Sequence, residues 1–135
     1  MHARGGAALA ATGEATMGFG QAVSSVFANY FDFKSRASRS EYWYYALFLL
    51  IAGLATLLID FAILGPVDIG PVNVIFTLAT MIPSLAVSVR RLHDIGRSGW
   101  FVLLGIIPLI GIILLIYWWC QPSDPQPNKY GAPPA

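Results

Sequence analysis

The sequence predicts an all-α integral membrane protein with three transmembrane helices, preceded by an N-terminal amphipathic helix lying in the membrane interface. Three observations predict it. The 135 residues carry only 8 Lys or Arg and 7 Asp or Glu, 11% charged, where soluble domains average about 25%. Those charges leave three uncharged stretches, 42–59, 69–89 and 98–123, each able to carry a helix across a hydrocarbon core of roughly 30 Å. Ahead of them, Phe19, Val23, Val26, Phe27, Tyr30 and Phe31 recur at three- and four-residue steps, with Gln21, Ser25, Asn29 and Asp32 on the opposite side.

The same composition excludes several classes of protein. A 56% hydrophobic chain with a mean hydropathy of +0.63 is not disordered. A net charge of +1 supplies no long-range field for an anionic polymer, so no nucleic-acid partner is expected. One cysteine rules out a disulfide scaffold.

Taken in order, residues 1–16 are small and without period and read as a disordered extension. Their apolar run, Ala7 to Ala11, is too short for a signal peptide, and pattern begins abruptly at Met17, a candidate translation start. The amphipathic helix, 19–33, is too polar to span. With Lys34 and Arg36 following, it would lie in the cytoplasmic interface or pack on the end of the bundle.

Ser38 followed by Glu41 has capping-box spacing, so the first span runs over 39–64. Tyr42 and Trp43 form its interfacial belt, and Asp60, about 27 Å further along, falls near the opposite headgroups. The second span, 72–91, follows Gly70-Pro71 and closes on Arg90 and Arg91. It is expected to kink at Pro83, with a Thr80 or Ser84 hydroxyl covering the lost backbone bond; a re-entrant hairpin is the competing reading.

The third span, 99–119, starts behind a Ser98 cap and holds 13 Leu, Ile, Val or Phe residues between Trp100 and Trp119. At roughly −0.3 to −0.6 kcal/mol each, these carry Pro108 and two glycines into the bilayer. Trp100 at one end and Tyr117, Trp118 and Trp119 at the other form its two aromatic belts. The tail, 121–135, has five prolines and is expected to be extended or turned, with a turn at Asn128–Gly131. Cys120 would be a small buried hydrophobe at the outer interface.

Orientation follows from the basic residues. Lys34, Arg36, Arg39, Arg90, Arg91 and Arg97 flank one side and Lys129 alone the other, which predicts a cytoplasmic N-terminus and a C-terminal tail outside.

In that topology Arg36, Arg39 and Glu41 meet Arg90, Arg91, His93, Asp94 and Arg97 at one membrane face. The cluster reads as a structural latch of ion pairs, Asp94 with Arg91 or Arg97, its excess arginine on anionic lipid headgroups. The sharper alternative is an anion or phosphate site. His93 has only His2 as a second histidine and Cys120 falls across the membrane, so a metal site lacks ligands. A cap explains Ser98, and no nucleophile motif is present, so neither catalysis nor a cofactor is expected. No charge sits in mid-span, which disfavours a transporter unless an oligomer builds the pore.

Several of these runs resemble one family: Met17-Gly-Phe-Gly-Gln-Ala22, the stretch from Tyr30 through Lys34-Ser-Arg36 and Arg39-Ser-Glu41 to Tyr45, Arg90-Arg-Leu-His-Asp-Ile-Gly-Arg-Ser-Gly-Trp100, Ile107-Pro-Leu-Ile-Gly111 and Asn128-Lys-Tyr-Gly131. They are similar to the DUF805 family of small bacterial inner-membrane proteins over residues 17 to about 133. The chain departs from the family pattern where glycines give way to Ser35, Ser123 and Gln126. The resemblance implies a multi-span membrane protein and supplies no reaction or ligand. The expectation is a non-catalytic interaction, scaffold or lipid-contacting module of the bacterial inner membrane. Its candidate partners are membrane lipids, a second copy or another membrane protein; the alternative is a small transporter or channel subunit acting as an oligomer.

Overall fold

The computed structural model describes residues 17–134, so the extension expected over 1–16 lies outside them. Every regular element among the described residues is helical: α1 (Phe19–Ala28), α2 (Arg39–Leu64), α3 (Pro71–Asp94), a 3₁₀ helix (Gly99–Ile106) and α4 (Ile110–Trp119).

The long pair α2 and α3 forms the frame. Ser38 caps α2 by accepting the Glu41 amide at 3.2 Å, the start its spacing predicts. The two helices run antiparallel: Glu41 meets Arg90 at one end, Tyr45 meets Ser84, Phe48 lies against Phe76, and Thr56 meets Asn73 near the other end. Both are long and apolar enough to cross a membrane. Only 11% and 22% of their most apolar 18-residue windows are buried inside the protein, whereas the core helix of a soluble protein would bury most of such a window. Leu50, Leu58, Ile63 and Ile75 instead face outward.

α1 packs along both helices through Ala22 and Val26, while the Phe27 ring meets the edges of Tyr45 and Phe48 at 5.9 Å. It ends at Ala28, five residues short of the expected 33. The Asn29 side chain turns back to the Ser25 carbonyl at 2.8 Å. Asp32 then collects the Lys34 and Ser35 amides at 2.9 and 3.1 Å, a local turn that competes with helix.

α3 runs through Pro83 without a break. Proline has no N–H for the Ala79 carbonyl four residues earlier. The expected rescuers are engaged elsewhere, Thr80 on Phe76 at 2.9 Å and Ser84 on Tyr45 at 3.1 Å. The Tyr30 hydroxyl, from the segment after α1, donates to Ala79 instead. The lost bond is therefore repaired from another element.

The third apolar stretch departs most from its expectation. Residues 99–119 form a hairpin of two short arms instead of one span. The chain reverses at Pro108-Leu109-Ile110, where the Ile110 amide donates to the Pro108 carbonyl at 2.8 Å and Leu109 holds φ 65, ψ −75. That is a γ-turn in its strained form. Gly111 lets the arms close, since a Cβ there would lie 1.8 Å from the Leu104 carbonyl oxygen. Leu92 and Leu115 are buried at the hairpin base with Trp118, while Ile106, Leu109 and Ile110 at the tip are more than 70% exposed.

Candidate functional site

The hairpin returns the chain to the end of the bundle from which it left. Trp119, expected across the membrane from Tyr42 and Trp43, stacks on Tyr42 at 5.0 Å and accepts a hydrogen bond from Trp43 Nε1 at 3.0 Å. The tail beyond it therefore lies at the same end as the start of α2, which overturns the placement of the two on opposite sides. Cys120 is exposed instead of buried, and its carbonyl accepts from Arg39 Nη1 at 3.2 Å.

This return completes a polar knot around Asp94, the last residue of α3. Asp94 Oδ1 accepts from Arg36 Nε at 3.0 Å, and Oδ2 accepts from Arg91 Nη1 at 2.9 Å and from the Ser123 hydroxyl. Arg36 spends all five donors. Besides Asp94 Oδ1 they reach the carbonyls of Gln126 and Gly131 from Nη1 and those of Asp94 and Asp124 from Nη2. Arg91 donates to the carbonyls of Trp119 and Gln121. Arg36, Arg91 and Asp94 are 6%, 0% and 0% exposed, and burial on this scale requires such pairing.

A second pair lies beside it. Arg90 Nη1 donates to Glu41 Oε2 at 2.9 Å with both side chains buried. Arg90 Nε and Nη2 are buried without a hydrogen-bond partner among the described residues, so the Glu41 carboxylate is the anchor of that guanidinium. Asp32 is held on the outer flank. Partial burial raises its carboxyl pKa, but the Ser35 hydroxyl, the Lys34 and Ser35 amides and the Arg90 charge outweigh this and leave it below the usual 3.8.

Of the residues singled out in the sequence, Arg36, Glu41, Arg90, Arg91, His93 and Asp94 come together in or beside the knot. Arg97 does not pair with Asp94; its guanidinium lies 4.5 Å over the Trp118 ring. Trp100 stands exposed at the hairpin base. His93 is clasped by the tail, stacked on Tyr130 with ring centroids 3.8 Å apart, its Nδ1 3.0 Å from the Ser35 carbonyl and its own carbonyl bonded by Asn128 at 3.1 Å.

Sequence reasoning missed the tail as part of this site. Ser123, Asp124, Asn128 and Tyr130 all serve it, and the expected turn closes with Asn128 and Gly131 exchanging backbone bonds at 3.0 and 2.9 Å. The available signal was the proline content itself. A segment that cannot build a helix leaves its carbonyls free for guanidinium groups elsewhere.

The far end carries a smaller site. Asp60, expected at the headgroups, is 2% exposed and accepts the Val72 and Asn73 amides at 3.0 and 2.9 Å, capping α3 from the neighbouring helix. Among the described residues, no three His, Cys, Asp or Glu side chains converge as a metal site would require.

The chain is 39% identical over 110 residues to the inner membrane protein YhaI of Escherichia coli K12, covering 82% of this chain and 92% of the relative. It is 36% identical over 113 residues to the inner membrane protein YhaH of the same organism, covering 81% and 92%. No solved structure matches it. Residues 30–132, which hold both arginine motifs, the hairpin and the docked tail, match the family described as protein of unknown function DUF805, and the chain belongs to that family.

Proposed function

We propose that the protein is a non-catalytic, lipid-contacting module of the bacterial inner membrane, with two full spans and a hairpin that enters the bilayer from the cytoplasmic face and leaves by it. One observation carries this reading: both ends of the hairpin stay at the latch end of α3, the start through the Arg97 amide on the Leu92 carbonyl and the Arg97 guanidinium over Trp118, the return through Arg91 on the Trp119 carbonyl, while its tip is apolar and exposed. Arms of 8 and 10 residues reach about 16 and 15 Å, half of a hydrocarbon core of roughly 30 Å. Two apolar helices and relatives named as inner membrane proteins support the location. The return of the tail supports the orientation. It brings Lys129 to the end that already holds Lys34, Arg36, Arg39, Arg90, Arg91 and Arg97, so the connection at the far end keeps no Lys or Arg.

In this reading the knot is a latch. Its guanidinium groups are turned inward and spent on the protein, and the exposed Lys34, Arg39 and Arg97 meet the headgroups. The oligomeric transporter has less support, since Asn73, Thr80, Ser84 and Ser88, which line a groove along α3, have their side chains bonded within the chain.

Fusions at Ala135 test the topology: a fluorescent protein should glow and alkaline phosphatase should be inactive, and the reverse overturns it. Depth is read with a nitroxide at Ile107→Cys in a Cys120→Ser background. The label should sit near the bilayer centre, shielded from aqueous relaxation agents; a water-exposed label removes the hairpin from the membrane.

A further inference from the structure

One cavity borders the latch on the hairpin side. It has a volume of about 470 Å³ and opens where the last turns of α3 meet the 3₁₀ arm and the tail, walled by Phe33, Leu85, Val89, Trp100, Leu103 and Tyr130. Its size lies within the roughly 300–1,000 Å³ of ligand pockets, and its plan is theirs too, an apolar wall with few polar groups. Among its polar side chains, the Ser98 hydroxyl is engaged as the cap of the 3₁₀ helix, accepting the Trp100 amide, and His93 is 6% exposed.

The hydrogen bond selects one tautomer. Nδ1 lies 3.0 Å from the Ser35 carbonyl, an oxygen that only accepts, so Nδ1 carries a proton, and Nε2 of that tautomer offers a bare lone pair. That atom has no hydrogen bond to any described residue, although the ring is nine-tenths buried and pinned flat against Tyr130. It lies beside Gly99, where a Cβ would come within 3.1 Å of Nε2 and 2.4 Å of Val89 Cγ1. The missing side chain leaves both the nitrogen and the cavity mouth open.

We infer that this cavity binds a slender apolar molecule carrying a hydroxyl group, whose O–H donates to His93 Nε2 while its hydrocarbon lies along α3 toward Leu85. The axial distance from His93 to Leu85, eight residues, is about 12 Å. A hydroxyl suits this nitrogen where other heads do not. A hydrocarbon leaves the lone pair unsatisfied, an ether oxygen has nothing to donate, and a carboxylate repels it. The inference rests on the membrane reading only in that the ligand enters from lipid, and its test reads the histidine directly, whatever the topology fusions report.

The test uses the full chain, carrying His2→Gln so that one imidazole remains, reconstituted in phosphatidylethanolamine and phosphatidylglycerol vesicles with 15N-labelled histidine. Dodecanol, 1-methoxydodecane and dodecane are titrated in turn. Dodecanol should move the Nε2 resonance saturably and leave Nδ1 in place, and the ether and the alkane should not move Nε2. Leu103→Trp, which fills the cavity, should abolish the shift while the Nδ1 signal stays at its wild-type position. Should that variant lose the Nδ1 signal, Leu85→Trp takes its place. An Nε2 resonance indifferent to dodecanol, equally sensitive to the ether, or still shifted in the filled cavity overturns the site.

Discussion

The two ends of the helix pair bury carboxylates in opposite ways. At one end Asp94 and Glu41 are matched by three guanidinium groups, with the tail supplying carbonyls for the remaining donors. At the other, Asp60 meets no cation among the described residues; two backbone amides at the start of α3 and the local helix dipole hold it. The difference lies in what each carboxylate ties together. Asp60 joins two helices that the connection between them already holds close. Asp94 joins α3 to segments 58 residues earlier and 29 residues later in the chain, and a guanidinium, with five donors in a fixed fork, can serve several strands of chain at once.

That contrast breaks most directly at Asp94. Asp94→Ala leaves Arg36 and Arg91 buried without a carboxylate, and losing one member of a buried ion pair costs about 3–5 kcal/mol. Unfolding in mixed micelles should show a loss of at least that size, with the tail newly open to protease. Glu41→Ala should come close behind, because the Arg90 guanidinium has no other hydrogen-bond partner among the described residues.

Arg36→Lys sharpens the comparison by keeping the charge and discarding the fork. An ammonium has three donors where five are in use, so the variant should lose about 2–3 kcal/mol, as expected for one or two hydrogen bonds from a charged group. Limited proteolysis should cut first within 121–134; a tail as resistant as the wild type would mean the carbonyls are not what holds it.

Asp60→Ala should cost less, about 1–2 kcal/mol, the usual toll of a lost helix cap, and should leave the tail protected. Equal damage from Asp60→Ala and Asp94→Ala would erase the distinction between the two ends.

The smallest effect belongs to Asp32, which lies outside the spans. Its carboxyl is held below its usual 3.8 in the folded protein, so it contributes stability at higher pH and loses it as pH falls through the folded value. The stability gap between wild type and Asp32→Asn, followed by acid titration, should therefore shrink below about pH 4. A gap that widens on acidification reverses the sign and removes the Ser35 and amide contacts as its cause.

Much of the architecture was legible in order along the chain. The Ser38 cap, the 39–64 helix, a second helix carrying the paired arginines in its last turns, the turn at Asn128–Gly131 and the meeting of the two arginine motifs follow from local spacing and from charge avoidance of lipid, although that second helix runs on to Asp94, three residues past the expected end at 91. The repair of Pro83 by Tyr30 and the role of the tail were not legible, because each pairs groups 29 or more residues apart with no local spacing to mark them.

By itself, then, the sequence determined that two helices are apolar enough to cross a bilayer and that arginine concentrates at one end of them. Only the tertiary structure decided that the third apolar stretch doubles back. Hydropathy sums the cost of burying side chains and is blind to direction, and in the proposed membrane setting a turn whose tip meets hydrocarbon needs none of the polar residues that mark turns in water. Pro108, a leucine at positive φ and Gly111 are enough to reverse the chain, and the carbonyls that return with it are what the buried arginines bind.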